Sequence, residues 1–515
     1  MTVSARKDLA AKTQSIILLN PCLFSALAGA LMPFGFAPFY WIVPSMLSVA
    51  AILFLWQQQT PQQAKVSGFI YGFAAFLIGS YWTYISVGTF GGAPVWLALI
   101  VMLGLVSIMA AYYSGLGYVL TRWFSHMRLS RLTWVFVVAA LWTLMEWIRG
   151  WFLSGFPWLN LGYLSLDTPI AGYAPLGGVY FCTFVWVFVI ASLPSMFSAS
   201  KTWNIGMGAS LIALFVSGYF LNQAQWTVDF DNEISVALIQ GGVSQDKKWL
   251  PEQLPKTMEL YARLSVEHAD ADLMVWPEAA IPSVRQNVVQ YFNSVKARLG
   301  DDTSLLVGML DRLPNENGDD IYNGLLVIDS DLNTSKEQAY YKDHLVPFGE
   351  YFPVPGFIRN WLRMMNLPYS DIKRGGKKQP VLQLNDLQVG AFICYEDAYT
   401  DRVNAMLPQA YLLVNISNDA WFGGSLAPHQ HLQITRMRAL ETERPILRAT
   451  NNGITAVIDK KGNIVSTVEQ FKPQVLRAKV QPVKGATPFV MLGNWMIVGL
   501  CLLFLLFIKL LHRPR

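Results

Sequence analysis

Val389-Gly390-Ala391-Phe392-Ile393-Cys394-Tyr395-Glu396-Asp397 is an apolar, strand-like run that stops abruptly at a cysteine and turns polar. Such a run, apolar on both faces, reads as a buried strand of an α/β sheet, and the end of such a strand is a rigid place from which to present a reactive side chain. The other cysteines, Cys22, Cys182 and Cys501, lie in apolar stretches of membrane-spanning length, so Cys394 has no obvious disulfide partner. Free cysteine is often only a small buried hydrophobe. Its company argues for more: Glu278 follows the short apolar strand Leu273-Met274-Val275-Trp276, and Lys342 stands in Tyr340-Tyr341-Lys342-Asp343-His344. A carboxylate takes a thiol proton, and an ammonium favours thiolate and stabilises an oxyanion, so the three can activate a cysteine without histidine. Taken singly, a loop Glu or Lys is usually solvated surface.

At 515 residues, 53% hydrophobic and 14% charged, the chain is too long and too apolar for one soluble domain. Of its 34 acidic residues, all but Asp8, Glu146 and Asp167 fall between Asp229 and Glu469, which marks off a soluble segment. Apolar stretches of about 20 residues suit a bilayer. They run near Ser15 to Met32, Tyr40 to Trp56, Val66 to Val87, Val95 to Leu120, Leu132 to Ile148, Leu176 to Met196, Ile205 to Leu221 and Pro488 to Leu510. The reading is a multi-pass α-helical membrane protein of eight spans: a seven-helix bundle over 1–221, an inserted domain over 222–486, and a last span with its tail over 487–515. Basic residues choose the orientation. With both termini cytoplasmic, Arg6, Lys7, Lys12, Lys65, Arg122, Arg128, Arg131, Lys201, Lys509, Arg513 and Arg515 face the cytoplasm, and among the short loops opposite only Arg149 is basic. The inserted domain is then extracytoplasmic. The first span, running on past Met32 without a polar cleavage region, reads as retained, not as a signal peptide. The net charge of +5 is ascribed to this orientation and not to a dense basic cluster, which argues against nucleic acid as a partner.

Within the inserted segment, strands are expected at Ile234–Ile239, 273–276, 304–310, 322–328, 389–393, 411–414 and 454–458. Helices are expected over 251–269, 284–299 and 428–440. This alternation predicts a layered α/β domain.

The surroundings of the three polar residues carry a resemblance. Trp276-Pro277-Glu278-Ala279, Lys342-Asp343-His344-Leu345-Val346-Pro347-Phe348-Gly349-Glu350 and Cys394-Tyr395-Glu396-Asp397 resemble the Glu-Lys-Cys motifs of the nitrilase superfamily. Between apolar spans, they look like those of the bacterial apolipoprotein N-acyltransferase family. Gly35-Phe36-Ala37-Pro38, Gly155-Phe156-Pro157-Trp158, Asn415-Ile416-Ser417-Asn418-Asp419-Ala420-Trp421-Phe422-Gly423 and Arg448-Ala449-Thr450-Asn451-Asn452-Gly453 extend the likeness over nearly the whole chain. The resemblance implies an αββα sandwich on a helical bundle, Cys394 as nucleophile, Glu278 as general base and Lys342 as the catalytic lysine. Glu350 corresponds to a supporting carboxylate, and Trp249, Tyr395 and Glu396 to residues around the site. It further implies a bacterial inner-membrane enzyme with a periplasmic catalytic domain, a phospholipid acyl donor such as phosphatidylethanolamine, a diacylglyceryl apolipoprotein as acceptor, and no cofactor. The chain departs from the family pattern at Glu443, where Gly is expected before Arg444-Pro445, and at Gly424, where polar residues are common.

Other groups have plainer readings. His429 and His431 lack the spacing and partners of a metal site. His344 is a rival base for Cys394, read as structural. Glu146 in a span has Arg149 three residues on as a local partner. Phe357, Trp361, Met364 and Met365 form a helical stripe that either dips into lipid or packs on the core; Phe156 and Trp158 are either interfacial anchors in contact with lipid or contacts below the domain. The rival enzyme is a membrane-tethered nitrilase-type amidase that uses water in place of the amine. A transporter is disfavoured by spans nearly free of ionisable residues.

Overall fold

The computed structural model describes residues 20–512 except 126, 128, 197–199, 231, 317, 329–337, 348 and 352–371. The stripe of Phe357, Trp361, Met364 and Met365 lies outside the described residues.

The N-terminal part is helical: α1 (Pro21–Leu31), α2 (Ile42–Trp56), α3 (Pro61–Gly79), α4 (Val95–Trp123), α5 (Arg131–Arg149), α6 (Ala174–Met196) and α7 (Lys201–Gln223). Local chemistry sets several starts. Thr60 and Gln63 close a capping box with Pro61 in the first turn of α3, while Ser130 and Ser200 accept from Thr133 N and Trp203 N to cap α5 and α7. Four described helices are long and apolar enough to cross a membrane, or five if α3 and the segment Trp82–Phe90, bent from it by 56°, form one span. Pro21–Gly35, Ile42–Trp56 and the C-terminal Trp495–Leu511 are apolar but shorter. Helix α6 is broken at Gly177 and Gly178. Gly178 has φ +70°, and a Cβ there would strike the ring of Phe489. Inside the bundle, the expected Glu146–Arg149 pairing gives way to other partners. Arg149 donates to Trp158 O (2.6 Å) and Asn160 Oδ1 (2.5 Å), and Glu146 accepts from Trp142 Nε1, Leu161 N and Thr183 Oγ1. Both tie the segment after α5 to the bundle, since a buried charge needs such hydrogen bonds.

The inserted domain holds β1 (Thr227–Asp229), β2 (Ile234–Gln240), α8 (Gln253–Val266), β3 (Leu273–Trp276), α9 (Val289–Leu299), β4 (Ser304–Asn315), β5 (Gly318–Ile328), β6 (Ala339–Tyr341), β7 (Ile372–Lys373), β8 (Leu382–Leu384), β9 (Leu387–Ile393), β10 (Leu412–Ser417), α10 (Ala427–Thr442), β11 (Ile446–Thr450), β12 (Ala456–Ile458), β13 (Ile464–Thr467), β14 (Gln474–Val480) and β15 (Val483–Gly485), before α11 (Trp495–Leu511). One sheet runs β14-β2-β3-β4-β5-β6 with β7 beside β5; the other runs β13-β12-β11-β10-β9-β8. Their central strands, β2-β3-β4 and β9-β10-β11, are parallel, and β3, β10 and β11 are buried throughout, as parallel strands covered on both faces must be.

Apolar side chains of β2, β3 and β4 meet those of β9, β10 and β11 between the sheets. Helices α8 and α9 cover the outer face of the first sheet through Tyr261, Leu264, Phe292 and Val295. Helix α10 covers the second. The result is the αββα sandwich, with the bundle lying beyond α10.

That position explains why α10, rich in Gln, Arg and Thr, is buried almost all round. Gln430 Oε1 accepts from Trp82 Nε1 (3.2 Å) and Trp158 Nε1 (2.7 Å), and Gln433 accepts from Ala37 N (3.0 Å) and donates to Tyr163 O (3.2 Å). Arg436 grips Asp167 with both terminal nitrogens. The motifs around Ala37 and Trp158 thus serve to seat the domain on the bundle. Glu443, the departure from glycine, has φ +44° at the end of α10, a backbone that favours Gly. Its carboxylate instead binds Trp226 N (2.8 Å), Thr227 Oγ1 (3.1 Å) and Lys461 Nζ (2.6 Å), so it fastens the tether entering the domain rather than a substrate loop.

Candidate active site

Glu278, Lys342 and Cys394 come from three strand ends. Cys394 follows β9 directly, Lys342 follows β6, and Glu278 follows β3 after Pro277. Gly308 on β4 makes room for the last of these turns, since a Cβ there would strike Pro277 O and Glu278 Cα. Cys394 (φ +53°) and Ala279 (φ +46°) both hold left-handed backbone, a strained state for residues with a Cβ and one that persists only where the surroundings enforce it. At Cys394 the enforcement is visible: its carbonyl accepts from Asn415 Nδ2 (3.3 Å) and lies 3.3 Å from His431 Nε2.

The carboxylate of Glu278 is held from both sides. Oε1 accepts from Asn323 Nδ2 (2.7 Å) and faces Lys342 Nζ at 3.5 Å; Oε2 accepts from Asn418 N (2.9 Å). Glu350 lies on the far side of Lys342, accepting from its Nζ (2.9 Å), from Asn323 Nδ2 (3.2 Å) and from Val346 N (2.8 Å). Lys342 is therefore an almost fully buried ammonium between two carboxylates, with Asn323 bridging the pair. Burial opposes its charge, but Glu350 and then Glu278 outweigh burial and hold it above its usual range. Burial, then the charge of Glu278, push the Cys394 thiol up, and Lys342 offsets them only in part. Cys394 is thus favoured as a neutral thiol, and a bond formed at its sulfur would require that proton to leave.

Glu396 is a brace. It accepts from Asp343 N, His344 N, Ile393 N and Tyr340 Oη at 2.8–2.9 Å, tying the loop after β6 to the end of β9. Tyr395 turns towards the bundle and donates to Gly155 O (3.1 Å), as Tyr399 does (2.9 Å). Trp249 packs against the small apolar cluster of Leu310, Leu345 and Ile372. Phe156 and Trp158 are buried, stacked on each other with centroids 5.6 Å apart, and Trp158 also meets Tyr395. Both rings lie where the bundle meets the domain, Trp158 Nε1 donating to Gln430 Oε1. His344 stacks on Tyr399 and is pushed down to about 3 by burial and by Arg402, Arg374 and Lys342; it is neutral, and a weak base for Cys394.

Residue patterning passed over Asn323, Lys248, Gln430 and a buried ionic group behind Cys394. Lys248, nearly fully buried, donates to Glu278 O (3.2 Å). In the ionic group, His431 Nε2 faces only acceptors, Asp397 Oδ1 (2.9 Å) and Cys394 O, so it carries hydrogen. Nδ1 faces Asp419 Oδ1 at 3.0 Å and Arg448 Nη2 at 2.9 Å, while Arg448 joins Asp419 (2.7 Å) and Asp397 (3.5 Å). Two carboxylates thus face Arg448 and the His431 ring, which bears a positive charge when both its nitrogens are protonated. Burial and Arg448 oppose that charge, but Asp397 and Asp419 prevail and raise His431 to about 9; Asp419 is held below its usual range despite burial, chiefly by Arg448.

The His431 pKa is higher folded than unfolded, where it is about 6.5. Its contribution is therefore whole below about pH 6.5 and disappears as pH rises through 9. The depressed Asp419 contributes in full above about pH 4 and loses its contribution as pH falls further. The melting temperature in detergent is expected to drop by roughly 5–10 °C between pH 6.5 and 9.5, the equivalent of about 3 kcal/mol. His431→Gln should flatten that slope. An equal slope in both proteins would rule the imidazolium out.

Residues 235–487 match the carbon-nitrogen hydrolase family, and residues 28–192 match the apolipoprotein N-acyltransferase N-terminal domain. A curated apolipoprotein N-acyltransferase of Nitrosomonas europaea is 39% identical over 481 residues, covering 92% of this chain and 93% of that one. Those of Vibrio cholerae (36% over 485 residues, 93% and 94% covered) and Pseudomonas aeruginosa (36% over 505 residues, 96% of each) are similar throughout. Among solved structures, Nit3 of Saccharomyces cerevisiae, of the nitrilase superfamily, aligns with 50% of this chain and 93% of its own at 17% identity and a TM-score of 0.37. With both halves matched and relatives alike along almost their full length, the chain belongs to the apolipoprotein N-acyltransferase family.

Proposed function

We propose that this enzyme moves a fatty acyl chain from a membrane phospholipid, through a thioester on Cys394, to the α-amine of the N-terminal diacylglyceryl-cysteine of an apolipoprotein. The observation that carries this reading is the buried Cys394 thiol set among Glu278 and Lys342 in a chain of this family. As Sγ attacks the ester carbonyl, its proton passes to Glu278 and the oxyanion forms against the Lys342 ammonium. Collapse expels the lysophospholipid alkoxide, which takes the proton from Glu278. The neutral amine then attacks the thioester, Glu278 accepts its proton, and the Cys394 sulfur leaves as a thiolate that takes that proton back from Glu278, restoring the resting thiol and carboxylate. Glu350 keeps Lys342 charged, and Glu396 keeps the Lys342 and Cys394 strand ends in register.

Phosphatidylethanolamine is the donor we assign. We also assign eight spans, counting the three shorter apolar helices and the bent pair as one each, in the bacterial inner membrane. The divisions are 1–221, 222–486 and 487–515. The catalytic domain lies in the periplasm and both termini in the cytoplasm. The basic residues gathered on the cytoplasmic side support this orientation.

Transfer and hydrolysis share the first half-reaction and part at the second nucleophile. Intact-protein mass spectrometry after exposure to phospholipid should find one added acyl chain that decays slowly in water and rapidly with a synthetic diacylglyceryl-cysteine peptide. An adduct that water removes as fast as the peptide would favour the amidase, and no adduct at all would sink the mechanism.

A further inference from the structure

Counter to the chain-wide reading of charge, Lys373-Arg374-Gly375-Gly376-Lys377-Lys378 puts four cations into six residues, and all four are exposed. The run is a built feature of the active-site rim. It begins on β7, which pairs with β5. Gly375 N then donates to the carbonyl of Lys342 itself (3.0 Å). Gln379 binds both sides of the neighbouring peptide, accepting from Tyr341 N (2.7 Å) and donating to Tyr341 O (2.6 Å). A Cβ at Gly375 would collide with Tyr341 O, and Gly376 has φ +91°, so this close, turned path depends on the two glycines. The cations are presented by a loop whose backbone is already fixed, which lowers the entropy cost of binding. Lys373 has Asp320 at 3.4 Å and Arg374 lies over the ring of Tyr351. Among the described residues no carboxylate pairs with Arg374, Lys377 or Lys378.

The loop also sits on the side of the domain that meets the bundle. Two residues past Lys342, His344 is hydrogen-bonded to the Ser154 backbone and lies within the field of Arg374. Ser154 follows Trp151, Phe152 and Leu153, which are 53%, 48% and 67% exposed, as residues at a membrane interface are. A cationic rim hydrogen-bonded to the backbone of Lys342 and linked through His344 to an exposed aromatic segment fits one class of ligand: a headgroup of net negative charge at the surface of a lipid bilayer.

We propose that residues 373–378 dock the net negative headgroup of anionic glycerophospholipids at the membrane surface and deliver those lipids to Cys394 as acyl donors in addition to phosphatidylethanolamine. This rests on the phospholipid-donor reading above and adds a headgroup class to it. A cation near an anionic surface strengthens binding roughly fivefold, so several together should show clearly.

The test uses the full chain in phosphatidylcholine vesicles doped with either phosphatidylglycerol or phosphatidylethanolamine, comparing wild type with the quadruple variant Lys373→Gln, Arg374→Gln, Lys377→Gln, Lys378→Gln. Acyl-enzyme formation from phosphatidylglycerol should fall about tenfold or more and lose its salt sensitivity, while the phosphatidylethanolamine rate stays within about twofold and the melting temperature is unchanged. An unchanged phosphatidylglycerol rate overturns the proposal. So does a defect confined to transfer from preformed acyl-enzyme to peptide, which would assign the loop to the protein acceptor, or competition by glycerol phosphate at matched ionic strength, which would assign it to free phosphate. Native mass spectrometry of Cys394→Ala with and without the four substitutions counts retained phosphatidylglycerol directly. It tests the loop even if no acyl-enzyme ever forms, an outcome that would count against the donor reading alone.

Discussion

Cys394→Ala is expected to form no acyl adduct with phospholipid and to lower transfer by on the order of 10⁴-fold or more, the scale seen when a nucleophile is removed. Cys22→Ala, Cys182→Ala and Cys501→Ala should retain both. The contrast follows from position. Cys182 and Cys501 are buried within the bundle and Cys22 lies on α1, whereas Cys394 alone adjoins Glu278 and Lys342. Cys394→Ser keeps the shape and should keep the fold, but its hydroxyl ionises far less readily, and a site that already holds a thiol neutral gives it no help. Intact mass after exposure to donor reads all five variants. Full transfer by Cys394→Ala would place the covalent step elsewhere or remove it.

Much of this site was legible because its side chains follow apolar strands. The runs before Glu278 and Cys394 are short, apolar and sharply ended, and they are β3 and β9. Lys342 had no such signal: β6 is only Ala339–Tyr341, too short for a period to show, so it rested on the chemistry of a lysine beside a cysteine and on its motif. Asn323 was missed because it is one polar residue in a strand. Its meaning depends on the two glutamates it bridges, which come from elsewhere in the chain.

Other elements were hidden for the same non-local reason. β11 is a central strand buried throughout, yet Arg448 interrupts its apolar run and reads as surface until Asp397, Asp419 and His431 are placed around it. β14 pairs with β2 over a separation of more than 200 residues, Gln474 opposite Gln240, and no local pattern reports that. The long span near Leu176 was legible, but its break at Gly177 and Gly178 was not. Glu441 Oε1 accepts from Val179 N (2.5 Å) across it, a bond that exists only once α10 has docked.

Glu278→Gln and Lys342→Ala should both slow acylation at neutral pH, and alkali should separate them. Glu278→Gln removes the acceptor for the thiol proton and leaves a neutral thiol. It also removes one of the charges that push Cys394 up, so thiolate becomes available as pH rises, and the rate should climb up to tenfold per pH unit above neutrality. Lys342→Ala acts differently. It deletes the ammonium that the oxyanion needs, and losing one such contact typically costs 10²–10³-fold. It also strands Glu278 and Glu350 side by side without the cation between them, and their repulsion pushes the thiol further from ionisation. High pH can supply thiolate but not the missing charge. Adduct formation followed by mass spectrometry between pH 7 and 10 should therefore show partial recovery for Glu278→Gln and little for Lys342→Ala. Equal recovery would mean that Lys342 acts only on ionisation of the thiol, and its oxyanion role would have to be withdrawn.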